Sequence, residues 1–441
     1  MTNAENTTLS LGIDFGTSGA RAMAIAADGA ICMTTMVSFP AMTVNWATTW
    51  CSALFHLIEE IPLNIRQQLG AIAINGTSST VLLCDTEGEP VTAPILYNDD
   101  RGVSVLGTLN AIAPPNHPAI SATSSLAKLL WWCCDAAVND CIDMRTNASS
   151  LESYYFLHQA DWLGFLLHGQ LGISDYHNAL KLGYDPESLS YPDWMKTLPS
   201  APHLPKVLTP GTPIGSIEPD IVERYGLPGH CTVCAGTTDS IAAFLASGVR
   251  TPGEAVTSLG STLVLKLLSQ TRVDDGRYGI YSHRLGDRWL VGGASNTGGA
   301  VLRQYFCDRD LSELSQQIDP RQVSPLHYYP LLQPGERFPI NDPHLPPQLN
   351  PRPDDPVTFL HGLLESIARV ETEGYRLLET LSATPLTQVY TAGGGAANPT
   401  WTAIRARRLQ VPVMAAPQTA AAYGTAQLAQ LNWAATATTD L

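Results

Sequence analysis

The chain has 441 residues, too many for one ordinary hydrophobic core, so two domains of about 200 residues each are expected. Its formal net charge is −15, with no run of lysines or arginines, which argues against a nucleic-acid or anionic-membrane surface. With 44% hydrophobic and 15% charged residues it reads as well packed; no apolar stretch is long enough to span a bilayer, and nine scattered cysteines behind a polar, leader-free start point to the reducing cytosol.

The first strong pattern is LSLGIDFGTSGAR, Leu9 to Arg21. An apolar run ends at Asp14, the residues from Gly16 to Gly19 turn the chain, and ARAMAIA leads away, as in a β-hairpin with a carboxylate beside its turn. Glycines let the backbone approach a ligand and aim N–H groups at an anion, and Thr17 and Ser18 add hydroxyls, so phosphate is the natural guest. A divalent cation bridging phosphate to Asp14 would make the carboxylate acceptable there. The plain alternative is a polar turn without a ligand.

A third strand follows from Ile31 to Phe39, then a helical pattern from Trp46 to Leu69 that Pro62 must bend or end. Ala71 to Asn75 reads as a strand, Gly76 to Thr80 as a turn, and Val81 to Cys84 leaves as a strand again. The hydroxyl cluster around Ser78 suits a polyol, although hydroxyls also simply satisfy turns. The polar island Tyr97 to Arg101 either lines the same cleft or is a solvated loop. Ser124 to Ala137 and Phe156 to His168 read as helices, the first burying Trp131 and Trp132 in the core. Prolines then recur from Asp185 to Pro228, excluding long helices and central strands and leading to a domain boundary near residue 230.

The second half repeats the theme of the first. Glu254 to Leu268 is strand, turn, strand, with Gly260, Ser261 and Thr262 in the turn and Ser258 standing where Asp14 stands in the first copy. Two such hairpins facing each other across an interdomain cleft, with one metal-binding carboxylate, would clamp a nucleotide triphosphate. Just upstream, CAGTTDSIAAFLASG places Asp239 at a strand-to-helix junction. There it is either a helix cap or the general base of a phosphoryl transfer to an alcohol. Gly292 to Gly299 is a glycine-rich corner, Arg321 to Asp355 a proline-rich surface excursion, and Pro356 to Leu381 a strongly striped core helix. Thr387 to Ala392 is a strand ending in Gly393, Gly394 and Gly395, and Asn398-Pro399 opens the next helix. That turn would let a nucleotide lie against backbone. No GxxxxGK[ST] occurs, so ATP binding here is not by a P-loop. Cys231 and Cys234 have CxxC spacing without a second pair, in a strand-like setting, which argues against a zinc or redox role.

Taken in order, LGIDFGTSGAR, CAGTTDSIAAF, TSLGSTLVLKL and TAGGGAANPTW resemble the FGGY family of carbohydrate kinases over nearly the whole chain. NGTSSTVLL, where many bacterial xylulokinases carry a Gln-Met-His-Gly-like sugar loop, and SDYHNALKLGYD look most like the family's compact cyanobacterial and plastid branch of D-ribulose or xylulose-like kinases. The resemblance implies an α/β fold of two actin-like, ribonuclease H-like domains, 1–230 holding the sugar and 231–441 holding ATP, flanking a catalytic cleft. It implies ATP and Mg²⁺ as cofactors, Asp14 as the Mg²⁺-phosphate carboxylate beside the substrate, Thr17 as a phosphate-turn hydroxyl, and Asp239 as the catalytic base. Ser78 matches a sugar-contacting hydroxyl, Gly260, Ser261 and Thr262 a second phosphate turn, and Gly394, Gly395, Asn398 and Trp401 the adenosine site. In QTAAAYGTAQLA, Ala420 stands where the family commonly has a glutamate.

The implied activity is ATP-dependent phosphorylation of a ketopentose, D-ribulose to D-ribulose 5-phosphate, with D-xylulose as the alternative. The implied partners are a small sugar and ATP, without nucleic acid or membrane, in the cytoplasm. An Asp-X-Gly-Thr turn also suits actin-like and Hsp70-like ATPases, so a nucleotide-driven binding protein is the rival reading. The Thr-Thr-Asp junction and the hydroxyls at Ser78 speak for the kinase.

Overall fold

The computed structural model describes residues 8–134, 151–198 and 201–437. They form two compact units, one of the described residues up to Ala246 together with those from Ala420 onward, and one of Ser247–Thr419. The expected boundary near 230 is therefore corrected in two respects. Strand Thr232–Thr238 pairs in parallel with Leu69–Gly76, so the first unit runs on through the helix Asp239–Ala246 that follows it. The C-terminal helix Ala421–Ala437 also returns to the first unit, where it packs on the sheet.

The first unit is organised by a six-stranded sheet. Its strands are β1 (Leu9–Phe15), β2 (Gly19–Ile25), β3 (Ile31–Ser38), β4 (Leu69–Gly76), β9 (Pro213–Ser216) and β10 (Thr232–Thr238), in the order β3-β2-β1-β4-β10-β9. The intervening β5 (Val81–Cys84) pairs with β6 (Tyr155–His158), and β7 (Ile173–Asp175) with β8 (Lys206–Leu208), in two small sheets apart from the main one. The chain leaving the Gly76–Thr80 turn thus does not return along β4. The helix expected from Phe156 starts at Gln159 instead, because the residues before it are spent on β6. Every residue of β4 is buried, since the helix Ala421–Ala437 and the helix Gln159–His168 both contact the strand.

The second unit repeats the plan with β11 (Glu254–Leu259), β12 (Leu263–Ser269), β13 (Tyr281–Leu285), β14 (Arg288–Ser295), β15 (Gln388–Ala392) and β16 (Val413–Ala415), ordered β13-β14-β12-β11-β15-β16. In both sheets a hairpin has a third antiparallel strand beside its second member and two parallel strands beside its first. This is the actin-like α/β arrangement the resemblance implies, present twice.

Helix Pro356–Thr380 buries Phe359, Leu363, Ile367, Val370 and Leu378 of the expected stripe, with Leu377 and Leu381 only half-buried, and Asp355 caps it by accepting the Thr358 N–H at 2.9 Å. The stretch Arg321–Asp355 is more than a surface excursion: Tyr328, Leu331 and Phe338 lie in the core of the second unit. Prolines there prevent regular elements but not burial. Of the expected helix Ser124–Ala137, Ser125–Cys134 is helical and the last three residues lie outside the described residues; Trp132 is buried, while Trp131 is half-buried under the Arg101 guanidinium, 4.5 Å from its ring centre. All described cysteines are free, with Cys231 and Cys234 buried. No described helix is long and apolar enough to cross a membrane.

Candidate active site

In the first unit the site residues gather at the C-terminal ends of neighbouring parallel strands, where a doubly wound sheet opens toward ligand. Asp14, one residue from the end of β1, is in register with Arg21 on β2 and Asn75 on β4. Its Oδ1 is buried and takes no hydrogen bond among the described residues. Burial, reinforced by the negative charge of Asp239, pushes the Asp14 carboxyl up to about 6, against the opposing pull of Arg21 and the Asn75 amide. Asp239 opens the helix that follows β10, half-buried, with Oδ1 accepting the Ser240 N–H at 2.7 Å. The two carboxylates thus lie at the ends of β1 and β10, the strands that flank β4, and the charge of Asp239 is felt at Asp14.

The turn after β4 supplies hydroxyls. Thr77 and Thr80 are buried and share a hydrogen bond of 2.6 Å, while Gln159 Oε1 accepts from the Thr77 N–H at 2.9 Å. Ser78 between them is half-buried, and its hydroxyl makes no hydrogen bond among the described residues. Thr17 and Ser18 stand exposed at the tip of the first hairpin, where the Gly16 N–H donates to the Gly19 carbonyl at 3.0 Å.

In the second unit the predicted nucleotide residues line a cavity of about 620 Å³, of the size that takes a small cofactor. Gly260 and Ser261 from the β11–β12 turn, and Gly394, Gly395, Asn398 and Trp401 from the chain after β15, all border it. Gly393, with φ +82°, lies so close to the Leu259 carbonyl that a Cβ would sit 2.7 Å from it, which forces glycine here. Gly394, by contrast, has nothing within 4 Å of where a Cβ would be and opens into space. Asn398 caps the helix Pro399–Leu409 by accepting the Trp401 N–H at 2.9 Å, and its Nδ2 donates to Ser315 Oγ at 2.8 Å. Trp401 is only 2% exposed and its indole N–H donates to the Leu364 carbonyl, so it forms the cavity's floor. Thr262 is not among the lining residues, and its carbonyl accepts the Gly260 N–H at 3.3 Å.

Residues 9–246 match the N-terminal domain of the FGGY family of carbohydrate kinases, and residues 255–433 match its C-terminal domain. The chain belongs to that family. Among its relatives, the xylulose kinase of Bacillus subtilis (strain 168) is 22% identical over 425 residues, covering 90% of this chain and 82% of that protein. The gluconokinase of the same organism is 22% identical over 380 residues, covering 76% and 70%. Among solved structures, Plasmodium falciparum glycerol kinase with ADP superposes with a TM-score of 0.81 at 16% identity, covering 97% of this chain and 90% of that one. As an FGGY carbohydrate kinase the protein transfers phosphate from ATP to a sugar or related alcohol.

Several residues around this kinase's site were not legible in the sequence. Arg303, on the helix Gly299–Tyr305, borders the cavity and donates from Nη2 to Ser261 Oγ at 3.0 Å. Below Asp239, Thr237 Oγ1 is 2.7 Å from His177 Nδ1. Asp175 caps the short helix Tyr176–Ala179, accepting from the N–H groups of His177 and Asn178 at 2.8 and 3.0 Å, and burial pushes its carboxyl up to about 7. The stretch SDYHNALKLGYD carried only an overall resemblance. Its individual contacts depend on a fold that pairs β7 with β8 and brings His177 beside β10.

Proposed function

We propose that this FGGY kinase phosphorylates a ketopentose at its terminal hydroxyl, with D-ribulose the preferred substrate and D-ribulose 5-phosphate the product. The observation that carries this reading is the grouping in the first unit of Asp14 and Asp239 at the ends of the two strands flanking β4, with an unengaged Ser78 hydroxyl in the turn after β4. Asp239 acts as general base: as the new O–P bond forms, the alcohol proton passes to its carboxylate and the bond to the leaving ADP breaks. Ser78 and Asp14 hold the sugar. Thr17, Gly260, Ser261 and Thr262 hold phosphate groups, and Gly394, Gly395, Asn398 and Trp401 shape the adenosine pocket.

Mg²⁺ fits the residues present. Asp14 Oδ1 is a buried acceptor without a hydrogen bond, and no group of three or more metal-binding side chains occurs among the described residues. A cation that takes its remaining ligands from phosphate and water matches a lone carboxylate. When bound, Mg²⁺ supplies neutralisation of the phosphate charge.

D-ribulose is preferred because the Gly76–Thr80 turn carries hydroxyls and no imidazole or thioether. D-xylulose is the second reading, favoured by the names of relatives such as the Bacillus subtilis xylulose kinase. The test is the specificity constant for D-ribulose, D-xylulose, L-ribulose, ribitol and glycerol, with NMR assignment of the phosphorylated carbon. A specificity constant highest for D-ribulose, with phosphate on the terminal carbon, is expected; preference for another acceptor overturns the substrate assignment.

A further inference from the structure

The turn that carries Ser78 contains a backbone outlier. Ser79 has φ +67°, in the left-handed region that a serine occupies only at a cost. It is 2% exposed, and its own Oγ makes no hydrogen bond among the described residues, so its side chain does not explain the conformation. Its carbonyl does have a partner. Lys128, from the middle of the apolar helix Ser125–Cys134, donates from Nζ to the Ser79 carbonyl at 2.7 Å and to the Leu96 carbonyl at 2.6 Å.

Lys128 is fully buried and makes no ion pair among the described residues. An ammonium that makes no salt bridge, with only the more distant charge of Asp99 to favour it, is a costly group to bury, and a leucine would fill the same position in this helix without that cost. What only the ammonium provides is directed donors to two carbonyls that belong to different segments. Those segments are joined elsewhere as well: the Tyr97 N–H donates to Thr80 Oγ1 at 3.0 Å, and Val81 and Ile95 exchange backbone hydrogen bonds.

We propose that Lys128 is a positioning residue for the sugar site, its buried ammonium holding the Ser79 carbonyl and thereby the left-handed turn that presents the Ser78 hydroxyl. This rests on the sugar-kinase reading above. The helix of Lys128 carries neither carboxylate, and its ammonium reaches the site region through the two backbone segments it holds, at Ser79 and at Leu96.

A pH dependence follows from the same geometry. Burial lowers the Lys128 ammonium to about 7, helped by the like charges of Lys181 and Arg101 and opposed by Asp99. A neutral amine donates more weakly to both carbonyls. The wild-type KM for sugar therefore rises above pH 7 while the KM for ATP stays level.

The experiment compares wild type, Lys128→Met, Ser79→Gly and the double variant. Lys128→Met raises the sugar KM about ten-fold or more, the scale of a lost charged hydrogen bond, with the KM for ATP unchanged. Ser79→Gly, to which a left-handed turn costs nothing, restores most of the sugar KM in the double variant; a cavity left by a merely structural lysine would not respond to that change. A wild-type sugar KM in Lys128→Met, or a raised KM that Ser79→Gly fails to lower, overturns the proposal. Should Lys128→Met not fold, Lys128→Gln takes its place in the same comparison with Ser79→Gly, and the same outcomes overturn the proposal. Thermal unfolding of the four proteins needs no substrate: Ser79→Gly must stabilise the Lys128→Met background more than the wild type, and equal effects overturn the proposal. If no sugar stimulates the wild type at all, the kinase reading falls and this unfolding cycle alone judges Lys128.

Discussion

Asp239 opens the helix after β10, and the general-base role proposed for it would join two readings that sequence reasoning held apart. Its Oδ1 receives the N–H of its own helix, and β10 sets it beside the strand end bearing Asp14. Asp239→Asn keeps the shape and an acceptor for the Ser240 N–H but cannot take a proton, so kcat falls about 10²–10⁴-fold with the sugar KM changed only a few-fold, read by steady-state kinetics. His168 gives a second test at this scale. Burial lowers it to about 4, so between pH 4 and 6.5 the unfolded chain binds more protons than the folded one. Its contribution to stability is present above pH 6.5 and is lost as pH falls through that window. Asp175, raised to about 7, acts with the opposite sign, stabilising most at low pH and losing that effect as pH rises from about 4 to 7. Comparison of unfolding midpoints of wild type and His168→Gln from pH 4 to 7 isolates the histidine: the difference narrows as pH falls. A constant difference would assign His168 no proton linkage.

At the scale of elements, the hairpins were legible because period-two apolar runs flanking Gly-Thr-Ser or Gly-Ser-Thr turns have one simple solution. The helix Pro356–Thr380 was legible for the analogous reason, a long stripe with a cap and a proline at its start. The C-terminal helix, expected in the ATP-holding second domain 231–441 as a small-residue nucleotide helix, instead packs on the sheet of the first unit. Its small residues let it come close both to the sheet and to the helix Asp239–Ala246, and its fit depends on that close approach rather than on a hydrophobic stripe. A Cβ on Gly12 of β1 would lie 2.1 Å from the Ala422 carbonyl, and one on Gly424 would lie 1.9 Å from the Ala242 carbonyl. Gly12→Val would therefore force the helix from β1, lowering the unfolding midpoint by about 5–10 °C on the usual overpacking and midpoint scales, and turnover would fall because β1 carries Asp14. Calorimetry and activity assay check this together.

The second unit has its own internal tie. Arg405 on the helix Pro399–Leu409 is fully buried and donates twice to Glu371, at 2.6 and 2.7 Å, and once to Thr391 Oγ1 at 2.6 Å, while Thr257 Oγ1 donates to Glu371 at 2.6 Å. Thr257 and Thr391 are register partners on β11 and β15, the strands that lead into the two turns bordering the cavity. Arg405→Met leaves Glu371 buried without its cation and is expected to cost about 3–5 kcal/mol, measured by denaturant unfolding. Adding Glu371→Leu recovers most of that loss. Neither residue was singled out in the sequence, since a pair 34 residues apart on different helices meets only once the helices pack.

At the scale of the molecule, one strand plan used twice has been given two different uses. The first copy keeps Asp14 before its turn, whereas the second has Ser258 in the equivalent place and a cavity beside its turn. The division of labour predicts separable effects. Gly394→Val projects into open space at the cavity and raises the KM for ATP, while Ser78→Ala raises the KM for sugar, each leaving the other constant within about two-fold.

The central claim is that Asp239 accepts a proton from a sugar hydroxyl as phosphate leaves ATP. Its most direct measurement is ADP release by the purified protein with Mg-ATP, with and without D-ribulose, for wild type and Asp239→Ala. Strong stimulation by sugar in the wild type and its loss in the variant, at unchanged unfolding midpoint, is the predicted result. Sugar-stimulated turnover in Asp239→Ala equal to that of the wild type would contradict the account.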